Sequence, residues 1–230
     1  MSVEKEISTQ YREFQYLSAQ DITKLNDVCL VRHYKKGQVL FYPGDERNHV
    51  FFLKSGVIRL EKIDNTDSFS CLDFVKPKTI IPKIGLFSDA KYFLSCVAYS
   101  DIDIVLIPTK TYEEIIGKNS SQLIQLVNDQ SEIMKLQIIK VQKSNMSNSY
   151  YRVVTTLAII FKNLGEVQYP IKIVTVPYPI TISDIAKSSG TTRETASGVI
   201  KQLIKEKKIK YNRKYFSFLD IDFFKKILTD

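Results

Sequence analysis

The spacing of apolar residues changes once along this chain, near Thr111, and that change restricts the fold more than any other feature of the sequence. From about Cys29 to Pro108, short β-branched or aromatic runs recur: Val39–Tyr42, Val50–Leu53, Val57–Leu60, Phe69–Val75 and Ile102–Ile107. Lys36-Gly37, Pro43-Gly44-Asp45 and Ser55-Gly56 interrupt them with glycines able to take the positive φ of a tight turn. Short strands so punctuated predict an antiparallel sheet closed as a small barrel or roll. Beyond Thr111, TYEEII makes one or two helical turns, and the stretch from Asn119-Ser120 to Met146 contains neither Gly nor Pro. That stretch predicts a single long helix with Ser120 or Ser121 as its N-cap.

Along the long helix Leu123, Leu126, Val127, Gln130, Ile133, Met134, Gln137, Ile138 and Val141 recur at three- and four-residue steps. The stripe is wider than a solitary surface helix needs, so one side is expected to meet a partner helix and the other its own sheet. An ordinary core helix is the alternative. The dimer seam is assigned to Leu126, Val127, Gln130, Ile133, Met134, Gln137 and Val141, and the two glutamines depart from a clean zipper. SNMSNSYY then reads as a hinge, followed by a helix over Tyr151–Asn163 that ends at Leu164-Gly165. VTVPYPITI, with two prolines, reads as an edge strand or extended entry and not as a central strand.

The segment ISDIAKSSGTTRETASGVIKQLIKEKKI, residues 182–209, carries the most specific pattern. Ser183 caps a short helix over Asp184–Ser189, Gly190 supplies a sharp turn, and small Ala186 lets a second helix cross closely. Thr191 or Thr192 caps that second helix. Its Ala196, Val199, Ile200, Leu203 and Ile204 form one apolar face, while Arg193, Glu194, Ser197, Gly198 and Lys201 fall opposite. In a helix-turn-helix the polar face is the one offered to the major groove. Arg193 suits guanine O6 and N7, Glu194 suits cytosine N4, and Ser197 completes the base-contact set. Thr192, Thr195 and Lys201 are better matched to phosphate oxygens. KIKYNRKYFSFLD alternates as a β-hairpin wing that brings Lys210, Arg213 and Lys214 to the DNA backbone. The alternative is a trihelical core used for protein contacts.

Charge follows the same division. Residues 148–230 hold fourteen basic and seven acidic side chains, a net of +7 within a chain whose total is +8. A solvated lysine-rich face explains such an excess blandly; double-stranded DNA as partner explains its location. The reading is therefore an α+β chain: a β-roll sensor domain over 1–110, a connecting and dimerisation helix over 111–147, and a winged helix-turn-helix over 148–230. No metal site or cofactor is expected, since His33 and His49 are the only histidines and Cys29, Cys71 and Cys96 are widely spaced. Catalysis is not expected either, because GxSxG, P-loop and HExxH motifs are missing. With no long apolar run and an acidic, polar start, the protein is expected in the cytoplasm, away from membranes.

KKGQVLFYPGDERNHVFFLKSGVIRL, with its spaced glycines, and ISDIAKSSGTTRETAS together resemble the Crp/Fnr family of bacterial regulators over almost the whole chain. VRHYKKGQV is similar to the subgroup that controls arginine-deiminase operons. The resemblance implies a cyclic-nucleotide-binding-like roll, a homodimer on a near-palindromic operator, and RNA polymerase as a partner if the protein activates. It places the family's arginine–glutamate reading pair on Arg193 and Glu194 and the following polar position on Ser197. The next family position, commonly arginine, is Gly198 here. In the sensor, IIPKIGLF and FLSCVAY stand where cyclic-nucleotide binders carry glycine–glutamate and arginine–serine pairs. Lys83 replaces the acid, Leu94 replaces the arginine, and Ser95 remains. Without the arginine a cyclic phosphate lacks its charge-assisted bonds, so tight cyclic-AMP binding is not expected. Lys83, Leu94 and Ser95 remain the candidate effector pocket, and DNA binding governed by an unidentified ligand there, or by redox state, is the alternative function. For the latter, Cys29 beside Arg32, His33, Lys35 and Lys36 is either an activated thiol or a packed, inert one.

Overall fold

The computed structural model describes residues 6–63, 70–144, 148–170 and 172–229. Two compact units are formed, one from Met1–Lys62 with Val75–Glu132 and the other from Ile63–Phe74 with Ile133–Asp230.

The first unit opens with a 3-10 turn at Arg12–Phe14 and helix α1 (Ala19–Val28), capped by the Ser18 side chain on the Asp21 amide. Strands β1 (Leu30–Tyr34), β2 (Val39–Phe41), β3 (His49–Ser55), β4 (Ile58–Ile63), β5 (Ser70–Val75), β6 (Thr79–Ile81), β7 (Ser95–Ala98) and β8 (Ile102–Pro108) follow along the chain, and of these β5 falls in the second unit but for its last residue. Within the first unit β1-β8-β3-β6 make one sheet and β2-β7-β4 a second. Every described pairing within them is antiparallel. All five predicted strands are present; β1, β6 and β7 are added to them. The three punctuating glycines hold φ of +89, +92 and +78 at Gly37, Gly44 and Gly56, as the turns require. At Gly56 a Cβ would stand 2.2 Å from the Asp101 carbonyl oxygen, so that turn admits no side chain.

The run Val50-Phe51-Phe52-Leu53 in β3 is apolar at every position because both of its faces are covered. Val50 and Phe52 join Val105 and Ile107 of β8 in a core with Phe14, Ile22, Leu25, Tyr112 and Ile116. Phe51 and Leu53 turn the other way, into an inter-sheet core with Phe41, Ile58, Ile81, Tyr92, Cys96, Ile102 and Ile104. The roll therefore has helices on one side of a sheet and a second sheet on the other.

Helices α2 (Thr109–Gly117) and α3 (Ser120–Ser144) come next. The cap of α3 is Asn119 and not Ser120 or Ser121: its Oδ1 accepts from the Gln122 amide at 2.9 Å. In the second unit α4 (Ser149–Leu164) starts two residues before the predicted Tyr151 and stops at Gly165. Residues 145–147 of the predicted hinge lie outside the described residues, as do Phe69 and the side chain of Cys71. Then follow β9 (Glu166–Gln168), β10 (Ile173–Thr175), α5 (Ile182–Ser189), α6 (Arg193–Lys205), β11 (Ile209–Asn212), β12 (Tyr215–Phe218) and α7 (Ile221–Ile227). Contrary to the edge strand that the sequence predicts, in the sheet β11-β12-β10-β9 Val174 and Thr175 belong to an interior strand. The prolines at 177 and 179 fall after β10, so they remove no donor from the ladder.

Candidate nucleic-acid interface

Helix α5 is fixed at both ends by its own sequence. Thr181 caps it, accepting from the Asp184 amide while the Asp184 carboxylate accepts from the Thr181 amide at 3.1 Å, a reciprocal capping box that displaces Ser183 from the predicted role. At the other end Gly190 is left-handed, and the amides of Gly190 and Thr191 bond back to the carbonyls of Lys187 and Ala186, closing the turn in a Schellman pattern. The chain reverses within two residues, and Thr192 caps α6 on the Thr195 amide as the sequence predicts. Ala186 and Ala196 are both buried, which lets the two helices cross closely.

Ala196, Val199, Ile200 and Leu203 anchor α6, and Ile204 is half-exposed at the edge of that face. Opposite them Thr192, Arg193, Glu194, Gly198 and Lys201 are exposed, with Thr195 and Ser197 partly so. Among the described residues, no hydrogen bond or ion pair occupies the side chains of Arg193, Glu194 or Lys201. Thr192 and Thr195 share a hydroxyl contact at 3.1 Å.

The wing forms around Asn212, with Arg213 at φ +47 and Lys214 at φ +75, the left-handed pair that a two-residue hairpin of primed type demands. Their side chains, with that of Lys210, are exposed. Tyr211 ties the wing to the approach of α5, its hydroxyl donating to the Ile180 carbonyl at 3.1 Å. Lys208 is drawn away from the cationic surface by Glu206 at 2.7 Å and by the Phe223 ring at 3.9 Å. That pairing lowers the Glu206 carboxyl below its ordinary range. Reading and backbone-contact candidates thus share one small domain, and none is consumed by its core.

The wide stripe on α3 resolves into two faces. Leu126 is buried in the core of its own unit, which corrects its assignment to a dimer seam. Gln130 donates to the Lys83 carbonyl and Gln137 to Asp73, so both glutamines also serve the protomer. Ile124, Val127, Met134, Ile138 and Val141 remain exposed, and with Ser131 they alternate steps of three and four in a heptad register. Ile133, also exposed, lies beside that line. The register is visible in the sequence once the inward set is removed.

The effector candidates do not converge. Lys83 is turned into a buried cluster, its ammonium 2.9 Å from Glu13 and also bonded to Asp129. Ser95 donates to the Glu61 carbonyl at 3.0 Å, and Leu94 packs on the inter-sheet core. A cleft of about 510 Å³ in this unit is lined instead by residues such as Arg47, Asn48, Glu113 and Glu114. Nor is Cys29 activated. Burial and the Glu6 carboxylate push its thiol up, against a smaller opposing effect from Lys54, and burial pushes Cys96 well above its usual range. Among the described residues no helix is long and apolar enough to cross a membrane, and no three metal-ligating side chains cluster.

Residues 31–119 match the cyclic nucleotide-binding domain family and residues 152–227 the Crp-like helix-turn-helix domain. An HTH-type transcriptional regulator ArcR from Staphylococcus epidermidis is 28% identical over 81% of this chain and 80% of its own length. Its Staphylococcus aureus counterpart is 27% identical over 78% and 75%. Among solved structures, FixK2 from Bradyrhizobium japonicum superposes with a TM-score of 0.72 at 17% identity, covering 87% of this chain and 97% of that one. A CRP/FNR-family transcriptional regulator from Thermus thermophilus gives 0.61 at 20% identity, covering 87% and 99%. A cyclic-nucleotide-binding type of roll, a long helix and a Crp-like DNA-binding helix-turn-helix in this order make the chain a member of the Crp/Fnr family of transcription regulators.

Proposed function

We propose that the protein binds a near-palindromic DNA site as a homodimer, reading bases with Arg193, Glu194 and Ser197 and gripping phosphates with Thr192, Thr195, Lys201, Lys210, Arg213 and Lys214. The observation that carries this reading is the unpaired, exposed Arg193–Glu194 pair at the start of a helix whose opposite face is locked into the domain. In a helix-turn-helix those N-terminal positions meet base edges. Dimerisation runs through the heptad of Ile124, Val127, Met134, Ile138 and Val141, with Ile133 beside it. The two reading helices then enter successive major grooves about 34–36 Å apart. The protein works in the cytoplasm as a regulator and not a catalyst, meets RNA polymerase if it activates, and belongs with the ArcR regulators that it resembles. The boundaries 1–110, 111–147 and 148–230 express this division of labour.

Cyclic AMP is not its tight effector. Lys83 is spent on Glu13 and Asp129, Ser95 on a strand carbonyl, and leucine stands at position 94. The test is to select duplexes from a random-sequence pool and titrate the enriched one by fluorescence anisotropy. A two-fold symmetric consensus, bound with the same affinity in the presence and absence of cyclic AMP, is the expected result. Enrichment of no sequence would refute the reading.

A further inference from the structure

Gly198 sits in the interior of α6, where glycine is the least favourable residue after proline, for no reason found inside the protein. Other glycines have such reasons. Gly37, Gly44, Gly56, Gly85 and Gly190 hold positive φ, and Gly117 ends α2. A Cβ on Gly165 would stand 2.3 Å from the Phe161 carbonyl oxygen. Gly198 is helical, exposed, and a Cβ built on it meets nothing within 4 Å. By helical spacing it lies between Glu194, one turn earlier, and Lys201, almost one turn later, near the middle of the face turned away from Ala196, Val199, Ile200 and Leu203.

We infer that the missing side chain at Gly198 is a clearance for DNA: the backbone of α6 approaches the groove closely at this position, and a Cβ that the free protein accepts has no room in the complex. This rests on the reading that α6 enters the major groove. A helix with its side chains is about 10–12 Å across and the major groove is about 12 Å wide, so radial slack is small. Close approach of a backbone to a ligand is one of the few uses that repay glycine's conformational freedom. Seated deeper by the thickness of one side chain, the helix brings Glu194 and Lys201 nearer the DNA on either side of the gap. Gly198 is then a specificity-determining position that acts by shape, where the family commonly places an arginine that acts by contact.

The full-length Gly198→Ala protein tests this with two readouts of opposite sign. Its melting temperature is expected to rise by about 2–4 °C, as for a strain-free helical glycine replaced by alanine. Its Kd for the duplex selected by the unmodified protein is expected to weaken about five- to tenfold, the effect of modest overpacking, with random-sequence DNA bound as before. Unchanged or tighter binding of the selected duplex overturns the inference, and so does a fall in melting temperature, which would place the reason for the glycine inside the fold. Arg193→Ala, run in parallel, separates the inference from the reading beneath it. If Arg193→Ala loses the selected duplex and Gly198→Ala does not, only the clearance fails; if Arg193→Ala binds it as before, the groove reading fails and the clearance with it.

Discussion

Lys83 donates to Glu13 at 2.9 Å with both side chains more than nine-tenths buried, joining the loop after β6 to the N-terminal 3-10 turn. Asp129 on α3 is bonded to the same ammonium, so three segments distant in sequence meet at one cation. Burial raises the Glu13 carboxyl above its ordinary value, against the lowering effect of Lys83. Lys83→Met takes the cation away from buried Glu13 and leaves Asp129 to the exposed Arg12, and it is expected to destabilise the protein by about 3–5 kcal/mol at neutral pH. The sign of the pH dependence follows from the raised pKa. Glu13 binds its proton more tightly in the folded state, so the penalty is absent below its unfolded pKa and complete above its folded one. The loss in Lys83→Met should therefore grow as pH rises from the acid side of the ordinary carboxylate range towards neutrality, read as urea midpoints across a pH series. A loss independent of pH would show that the cluster is not the cause.

Among the described residues no hydrogen bond or ion pair holds the exposed Arg193 side chain, and its charge acts only weakly on Tyr211, so removing it perturbs little in the free protein. Arg193→Ala should bind the selected duplex more weakly by about 1–3 kcal/mol, mainly through one base-pair position of each half-site. Anisotropy titrations against every single-base variant of the duplex read this directly. Equal weakening on random DNA would assign Arg193 to a phosphate.

The wing makes a different prediction. Arg213 and Lys214 are exposed at the hairpin tip, and the proposed reading gives them phosphates and not bases. The double change Arg213→Gln with Lys214→Gln should weaken selected and random duplexes alike. It should also reduce the slope of log K against log salt by about 1 for each phosphate that the variant no longer neutralises. An unchanged slope would take the wing off the DNA.

Met134 and Ile138 are exposed on adjacent steps of the α3 heptad, away from the buried Leu126 and Leu136. Met134→Glu with Ile138→Glu places like charges across the proposed seam while leaving the protomer cores untouched. Sedimentation should show a monomer, and the loss of the second half-site should weaken DNA binding by about 10²- to 10⁴-fold. A folded double variant that still sediments as a dimer would move the interface elsewhere.

Local physics made much of this protein legible from its residues. The positive-φ glycines at 37, 44 and 56, the Thr192 cap, the Gly190 turn and the aliphatic face of α6 depend on neighbours within a few positions, and all are as the sequence indicates. Other features depend on partners far along the chain. The strand Ser95–Ala98 leaves no signal in the sequence, because its SCVA run lacks alternation and is buried only through pairing with β2 and β4. Leu126 and Val127 are equivalent by composition, yet one enters the core and the other faces solvent at 61% exposure, a choice made by where α1 and α2 pack. Thr181 takes the cap from Ser183 because Asp184 answers it across the first turn.

The sequence by itself determined five strands of the roll, the long helix and the split of α6 into an aliphatic and a polar face, because hydrophobic period and turn chemistry are written in adjacent residues. Only the tertiary structure decided that Lys83 is an internal counter-ion, that α3 divides its apolar stripe between core and surface, and that Gly198 has no packing reason to be glycine. Burial and desolvation are properties of three-dimensional neighbourhoods. Groups more than 40 residues apart, such as Lys83 and Asp129, share one only after the chain has folded.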